Sequence, residues 1–382
     1  MPSVARAAIL LALIGGLTVA PAPAAPAPAA VTAESFSACF DRQARLVPFS
    51  GVALAERGGE SFFRAAGYAD ADGKSPITRH TRFRLASVQK VMTRVAVGQL
   101  AQQGKIALDA PISTYLPGLP EQFGAITVDQ LLQHRSGVAP FTNLAKVPPE
   151  VRTAFARAAN SRERLPIIAA QPLSFRPGEG EEYSNGGYHV LGAIIETVSG
   201  KDYGDYLEEA LFRPLAMAST DLIPDGRTAV RFTRVLPGGG ALPDWTAAVA
   251  RQERRGGPAG DGVSNADDLS RLGKALLGDR LLSPAIKARI FPRKGAAWRI
   301  GQSGGTMGTN TDFSAFPENG WVVTVLSNYD PPAGELMGEV LRTLALGKGC
   351  APLAETDRVS PMRSLDPAAA PPRPSPPPPT IR

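Results

Sequence analysis

The stretch RLASVQKVMTRVAVGQL, Arg84 to Leu100, decides how the chain is read. Val88, Val91, Met92, Val95 and Leu100 recur at three- and four-residue steps, the period of a helix with one buried face. Lys90 stands close to that face, one turn after Ser87, where burial disfavours the charge on an ammonium. Three apart on a helix, the hydroxyl and the amine leave the same side, and the nitrogen can reach the oxygen. A serine hydroxyl is a poor nucleophile until a neighbour takes its proton, and a lysine held neutral can be that neighbour. The N–H groups of the first turn favour the negative charge that develops when such a hydroxyl attacks a carbonyl. The competing reading is a lysine on a solvated face. The pattern alone is weak, because 23 serines and nine lysines in 382 positions produce about half a Ser-x-x-Lys by chance.

On the N-terminal side, FSGVALAE and ESFFRAAGYAD read as two strands turned at Gly58-Gly59, preceded by a short helix in SFSACFDRQARL. On the C-terminal side the helix stops near Gly104. From Thr127 to Leu222 the pattern is helical with Pro-rich connections, in ITVDQLLQH, PPEVRTAFARAA and GGYHVLGAIIETVSG. A further helix is predicted at SNADDLSRLGKALLG, with Ser264 and Asp267 spaced as a capping box. RIGQSGGTM, TDFSAF and WVVTVLSN return to strands, the last two joined by a hairpin at Asn319-Gly320. Leu336, Met337, Val340, Leu341 and Leu344 form one stripe of a closing helix.

The chain ends are of a different kind. Residues 1–30 carry one early cation, Arg6, an apolar run from Ala7 to Ala20 and small-residue sites such as Ala22-Pro23-Ala24, the make-up of a secretory signal peptide. An uncleaved anchor is the lesser alternative, since the run is short for a membrane span. Residues 356–382 are too Pro-rich to pack and read as a disordered tail. That leaves residues 31–355 as the folded domain, with 43% hydrophobic residues overall and a mean hydropathy of −0.06, enough for a large core.

Composition excludes several classes. The net charge of +6 is spread out, and its densest cluster, Arg251, Arg254 and Arg255, has no interleaved aromatics, so no nucleic-acid partner is expected. Cys39 and Cys350 are too few for a cysteine metal site. They are either one disulfide in an oxidising compartment or two separate buried thiols. His80, His134 and His189 lack the spacing of a zinc site, and His134 reads as a structural hydrogen-bonding residue. GQSGG fits a nucleophile elbow at Ser303, but all three histidines precede it, against the chain order of that triad. DGKS at Asp72 to Ser75 fails as a phosphate loop because Tyr68 stands where glycine is needed.

Two further segments carry chemistry. In EEYSNGGYHVLG, Tyr183 and Asn185 flank Ser184 on a tight turn, where a phenol can join a proton relay and a carboxamide can meet a substrate carbonyl. The alternative is a half-buried aromatic and a helix cap. In GQSGGTMG, Gly301 to Gly308, glycines allow close approach to the backbone, and the N–H of Gly305 can join that of Ser87 as an oxyanion donor.

Ser87-Val88-Gln89-Lys90, Tyr183-Ser184-Asn185 and Gln302-Ser303-Gly304, in that order, resemble the three motifs of the serine β-lactamase and penicillin-binding-protein superfamily. The nearest branch is that of class C β-lactamases with their esterase and D-peptidase relatives. LDAPISTYLPG, ITVDQLLQHRSGV and FRPGEGEEYSNGGYHVLGAIIETVSG extend the likeness over about Phe36 to Lys348.

The resemblance implies an α+β fold: an antiparallel sheet flanked by helices, with an all-helical subdomain over about 111–225 and Ser87 in the cleft between. It implies that the terminal helices pack side by side, bringing Cys39 near Cys350 as a disulfide. It implies a serine hydrolase that acts without metal or cofactor on an ester or amide carbonyl of a small molecule or peptide, and the leader predicts that this enzyme is exported, periplasmic or secreted. Ser87, Lys90 and Tyr183 would be catalytic, Ser87 and Gly305 the oxyanion donors, and Asn185, Gln302, Ser303 and Gly304 the substrate contacts. One position departs from the pattern. Gln302 stands where β-lactamases and D,D-peptidases of the superfamily have lysine and many esterase-like members histidine. A neutral amide cannot make the charge-assisted bond, worth about 1.5 to 3 kcal/mol, that holds a substrate carboxylate. Arg299 is the candidate substitute. The alternatives are a D-alanyl-D-alanine carboxypeptidase or weak β-lactamase, and a catalytically inactive relative that binds peptidoglycan fragments.

Overall fold

The computed structural model describes residues 30–141, 147–235, 241–247 and 255–353. The leader, the Pro-rich tail, and Arg251 and Arg254 lie outside the described residues. In chain order the elements are α1 (Ala33–Leu46), β1 (Gly51–Arg57), β2 (Glu60–Ala66), β3 (Phe83–Arg84) and α2 (Gln89–Gln102). Then come α3 (Glu121–Gly124), α4 (Val128–Leu132), α5 (Pro149–Arg157), α6 (Ser161–Ala169), α7 (Asn185–Ser199) and α8 (Tyr203–Leu207). The chain closes with β4 (Phe232–Val235), β5 (Ala241–Ala247), β6 (Val263–Ser264), α9 (Ala266–Leu277), α10 (Pro284–Ile290), β7 (Ile300–Thr306), β8 (Thr309–Ala315), β9 (Val322–Ser327) and α11 (Ala333–Ala345).

Five strands form one antiparallel sheet in the order β2-β1-β9-β8-β7, so the first hairpin of the chain pairs with its last strand. Alternation along these strands separates two cores. Ala53, Ala55, Val323 and Val325 face Phe36, Phe40, Leu336 and Val340 of α1 and α11. Val52, Leu54, Val322 and Leu326 face the larger core that holds α2, α7 and α9. α1 begins at Thr32, whose hydroxyl accepts from Ser35 N in a capping box, and buries Phe36, Cys39, Phe40 and Gln43 at helical spacing. A disulfide joins Cys39 to Cys350, and Gln43 makes a two-way pairing with Leu353 through Nε2 (2.9 Å) and Oε1 (2.8 Å), so α1 and the segment after α11 are clasped together.

Two boundaries differ from the sequence expectation. The apolar period predicts one helix from Arg84, but Phe83–Arg84 pair with β6, Ala86–Val88 form a 3-10 turn, and α2 begins at Gln89. Ala86 explains the break: its φ of 44° is left-handed and cannot continue into an α-helix. The cap of α9 is Asn265, which accepts from Asp268 N at 2.8 Å, not Ser264. Ser264 is taken by the β6 pairing and bonds Thr220 Oγ1 at 2.7 Å.

Candidate active site

Ser87 lies in the 3-10 turn at the head of α2, between the edge strand β7 and the loop Gly256–Gly262. Both walls approach closely, and at Gly304 closely enough to require glycine. A Cβ on Gly304 would sit 2.7 Å from Ser87 N and from Leu85 O, and one on Gly260 would sit 3.1 Å from Ala86 O. Thr311 Oγ1 donates to Leu85 O at 2.8 Å, fixing the turn to the sheet.

Lys90, one turn on, is fully buried. Its Nζ meets Ser87 Oγ at 3.3 Å, donates to Asn185 Oδ1 at 2.7 Å and to the carbonyl of Ala259, and lies over the rings of Tyr183 and Tyr188. Burial lowers its pKa from 10.5 to about 7; the carboxylate of Asp261 opposes that shift and the guanidinium of Arg94 adds to it. Arg94 is itself held by Tyr188 Oη (2.6 Å), Leu132 O (2.7 Å) and Ile290 O, so a fixed positive charge sits behind the amine. From about neutral pH upward, Lys90 therefore carries a lone pair beside a hydroxyl in a growing share of molecules.

Tyr183 approaches from the turn before α7, and its hydroxyl donates to Ser87 Oγ at 2.7 Å. The residue is 38% exposed, but its hydroxyl is desolvated, which holds the phenol's pKa above its ordinary value; the bond to Ser87 opposes this. His134 sits against Tyr183, the rings tilted by 36° with centroids 4.6 Å apart, and its Nδ1 accepts from Ser184 N at 3.1 Å. Burial first, then the charges of Arg94, Lys90 and Lys294, push His134 down to about 3, so it is a neutral acceptor that fixes the Tyr183 turn. The cap of α7 is Ser184, which accepts from Gly187 N at 2.9 Å. Asn185 is thereby left at the first helical position, where its carbonyl faces Lys90 and its Nδ2 makes no hydrogen bond among the described residues.

The third motif divides. Gln302 Nε2 donates to Ser303 O at 3.0 Å. Gly304 O is taken by Asn310 Nδ2 (3.0 Å) and Thr311 Oγ1 (3.4 Å) from β8, so strand alternation turns the N–H of Gly305 toward the free edge of β7. Ser303 and Gly304 also have partners within the protein. The Ser303 hydroxyl donates to buried Asp312 at 2.7 Å, and Gly304 packs against the Ser87 turn. Arg299 does not replace the missing cation: it is bound to Ser314 Oγ (2.7 Å), Asp312 (2.9 Å) and Phe313 O (3.2 Å). Among the described residues no group of three His, Cys, Asp or Glu side chains is placed to hold a metal ion.

Sequence reasoning missed the loop that supplies the Ala259 carbonyl and Asp261. Its composition, GGPAGDG from Gly256 to Gly262, was the available signal, since such glycine density marks close backbone approach.

An antiparallel sheet backed by a helical layer, with a serine–lysine pair and a tyrosine at their junction, is the architecture of a serine hydrolase of the penicillin-binding type. The chain belongs to the beta-lactamase family, whose model matches residues 42–346. It is 30% identical over 256 residues to penicillin-binding protein 4* of Bacillus subtilis, covering 64% of this chain and 55% of that protein. Esterase EstB of Burkholderia gladioli is 34% identical over 203 residues, covering 50% of this chain and 51% of the esterase. The chain thus spans about half the length of these relatives. Among solved structures, a penicillin-binding protein from Bacillus halodurans superposes with a TM-score of 0.68 at 23% identity, over 81% of this chain and 99% of that one. D-amino acid amidase from Ochrobactrum anthropi SV3, complexed with D-phenylalanine, gives 0.66 at 25% identity, over 78% and 91%.

Proposed function

We propose that the protein hydrolyses an ester or amide bond through an acyl-enzyme at Ser87. The observation that carries this reading is the convergence of Lys90 Nζ and Tyr183 Oη on Ser87 Oγ, at 3.3 and 2.7 Å. Ser87 Oγ attacks the carbonyl carbon while its proton moves to neutral Lys90. The carbonyl oxygen takes the negative charge in front of the N–H groups of Ser87 and Gly305. As the tetrahedral adduct collapses, the proton passes by way of the Tyr183 hydroxyl to the leaving oxygen or nitrogen. Water then attacks the acyl carbon by the same relay and releases the acid. Asn185 Nδ2 and the amide of Gln302 contact substrate.

Neutral Gln302 and the commitment of Arg299 to Asp312 disfavour a carboxylate-bearing β-lactam or D-alanyl peptide and favour an ester or amide without a carboxylate. The named esterase relative is consistent with this preference. Location outside the cytoplasm is supported by the leader sequence and by the Cys39–Cys350 bond, since disulfides persist in oxidising compartments.

A short-chain nitrophenyl ester and a chromogenic cephalosporin, each given to native protein and to Ser87→Ala, test the reading. Ester turnover that exceeds cephalosporin turnover and is lost in the variant is expected. Turnover of neither substrate by native protein refutes catalysis and leaves the binding alternative. Faster cephalosporin turnover reverses the substrate ranking.

A further inference from the structure

The loop beside the nucleophile contains a conformational anomaly. Gly256, Gly257, Gly260 and Gly262 supply four residues that could take a left-handed backbone at no steric cost. None of them does, and the positive φ of the loop, 71°, falls on Asp261. Asp261 is one of five non-glycine residues of positive φ among the described residues, and two others, Ala86 and His134, also border the site. Such backbone strain collects where function needs a side chain held in place. Aspartate tolerates this conformation better than most residues, but glycine would be cheaper still.

What aspartate adds is a carboxylate. Asp261 N bonds Ala86 O at 3.3 Å and Asp261 O accepts from Arg84 Nη1 at 3.4 Å, which pins the residue against the turn that carries Ser87. The side chain is half-buried, and its carboxylate has no hydrogen bond or ion pair among the described residues. It lies near enough to Lys90 for its charge to oppose the effect of burial there. The other charges are spoken for. Arg84 is held against the Asp261 carbonyl, Arg94 by Tyr188, Leu132 and Ile290, Arg299 by Asp312 and Lys294 by Glu181 at 2.9 Å, and Gln302 is neutral. As Lys90 loses its proton around pH 7, the charge left without a partner beside the nucleophile is that of Asp261.

We propose that Asp261 is a specificity-determining residue that receives a cationic group of the substrate, an ammonium close to the scissile carbonyl, as in an amino-acid ester or amide. This rests on the hydrolase reading above and names the substrate class for the same site. An ammonium there gains a charge-assisted contact that an uncharged isostere lacks.

The test compares ethyl propionate with the ethyl esters of L- and D-alanine, which differ from it by the α-ammonium, with acid release followed at constant pH 7. Native protein, Asp261→Gly and Asp261→Asn are measured. Glycine suits the left-handed backbone, so the first variant keeps the loop, and asparagine removes charge at nearly constant shape. The readout is the ratio of kcat/KM for amine-bearing over neutral ester within each protein, in which any general change in Lys90 or in folding cancels. At least a tenfold preference for one alanine ester is expected in the native protein, falling to about one in both variants. A native ratio near one overturns the proposal, as does a ratio that the variants leave unmoved; either result with ethyl propionate still hydrolysed leaves the hydrolase reading intact. Failure of native protein to hydrolyse any of the three esters refutes both.

Discussion

For native protein acting on a neutral nitrophenyl ester, kcat/KM will rise with pH along a single limb centred near 7. The limb belongs to Lys90, whose pKa burial lowers to about 7 and whose neutral form is the base. Below the limb the rate falls about tenfold per pH unit, so at pH 5 it is roughly 1% of the plateau. An ordinary lysine, at 10.5, would leave the rate still climbing at pH 9. The other site groups do not titrate in this window: burial holds Tyr183 protonated above its usual range, and His134, at about 3, stays neutral. Asp261→Asn, which removes the charge opposing the effect of burial, will move the limb to lower pH, and Lys90→Met will abolish it with a loss of about 10² to 10⁴ in rate. The same shift has a stability consequence of fixed sign. The folded pKa lies below the unfolded one, so the unfolded chain binds the extra proton between about 7 and 10.5, and Lys90's contribution to stability rises with pH across that range. A limb centred near 10, or a flat profile from pH 5 to 9 with chemistry rate-limiting, refutes the assignment of Lys90 as base.

Further outcomes follow from packing. Gly304→Ala places a methyl 2.7 Å from two backbone atoms of the Ser87 turn, and kcat/KM will fall at least about a hundredfold, as a displacement of about 1 Å at the reacting atoms costs. Asp312→Asn leaves Arg299 and Arg342 facing a neutral amide in a fully buried position; chemical denaturation will register a loss of about 3 kcal/mol or more. Breaking the bond between Cys39 and Cys350, separated by 311 residues, with Cys39→Ser/Cys350→Ser will cost up to about 5 kcal/mol in the same assay while the Ser87 geometry is retained.

The parts of the molecule legible in the sequence are those set by local pattern. Turn glycines marked the β1–β2 and β8–β9 hairpins, and the stripe from Leu336 to Leu344 marked α11. The resemblance supplied the order of the motifs and the α+β fold. What was not legible depends on backbone conformation and on contacts far apart in the chain. Nothing in ASVQK discloses that Ala86 turns left-handed and ends the helix early. Nothing in GQSGG discloses that the Ser303 hydroxyl is drawn to Asp312 by a ladder pairing nine residues on. The Gly256–Gly262 loop reaches Lys90 through a main-chain carbonyl, a group every residue has, so side-chain motifs could not reveal it.

The central claim is that Ser87 is the activated hydroxyl of this protein. Intact mass and peptide mapping after exposure to a fluorophosphonate test it most directly. One adduct is predicted, on the peptide that carries Ser87, absent in Ser87→Ala and formed at least about a hundredfold more slowly in Lys90→Met. An adduct at another serine, or none on native protein under conditions that label a known serine hydrolase, contradicts the account.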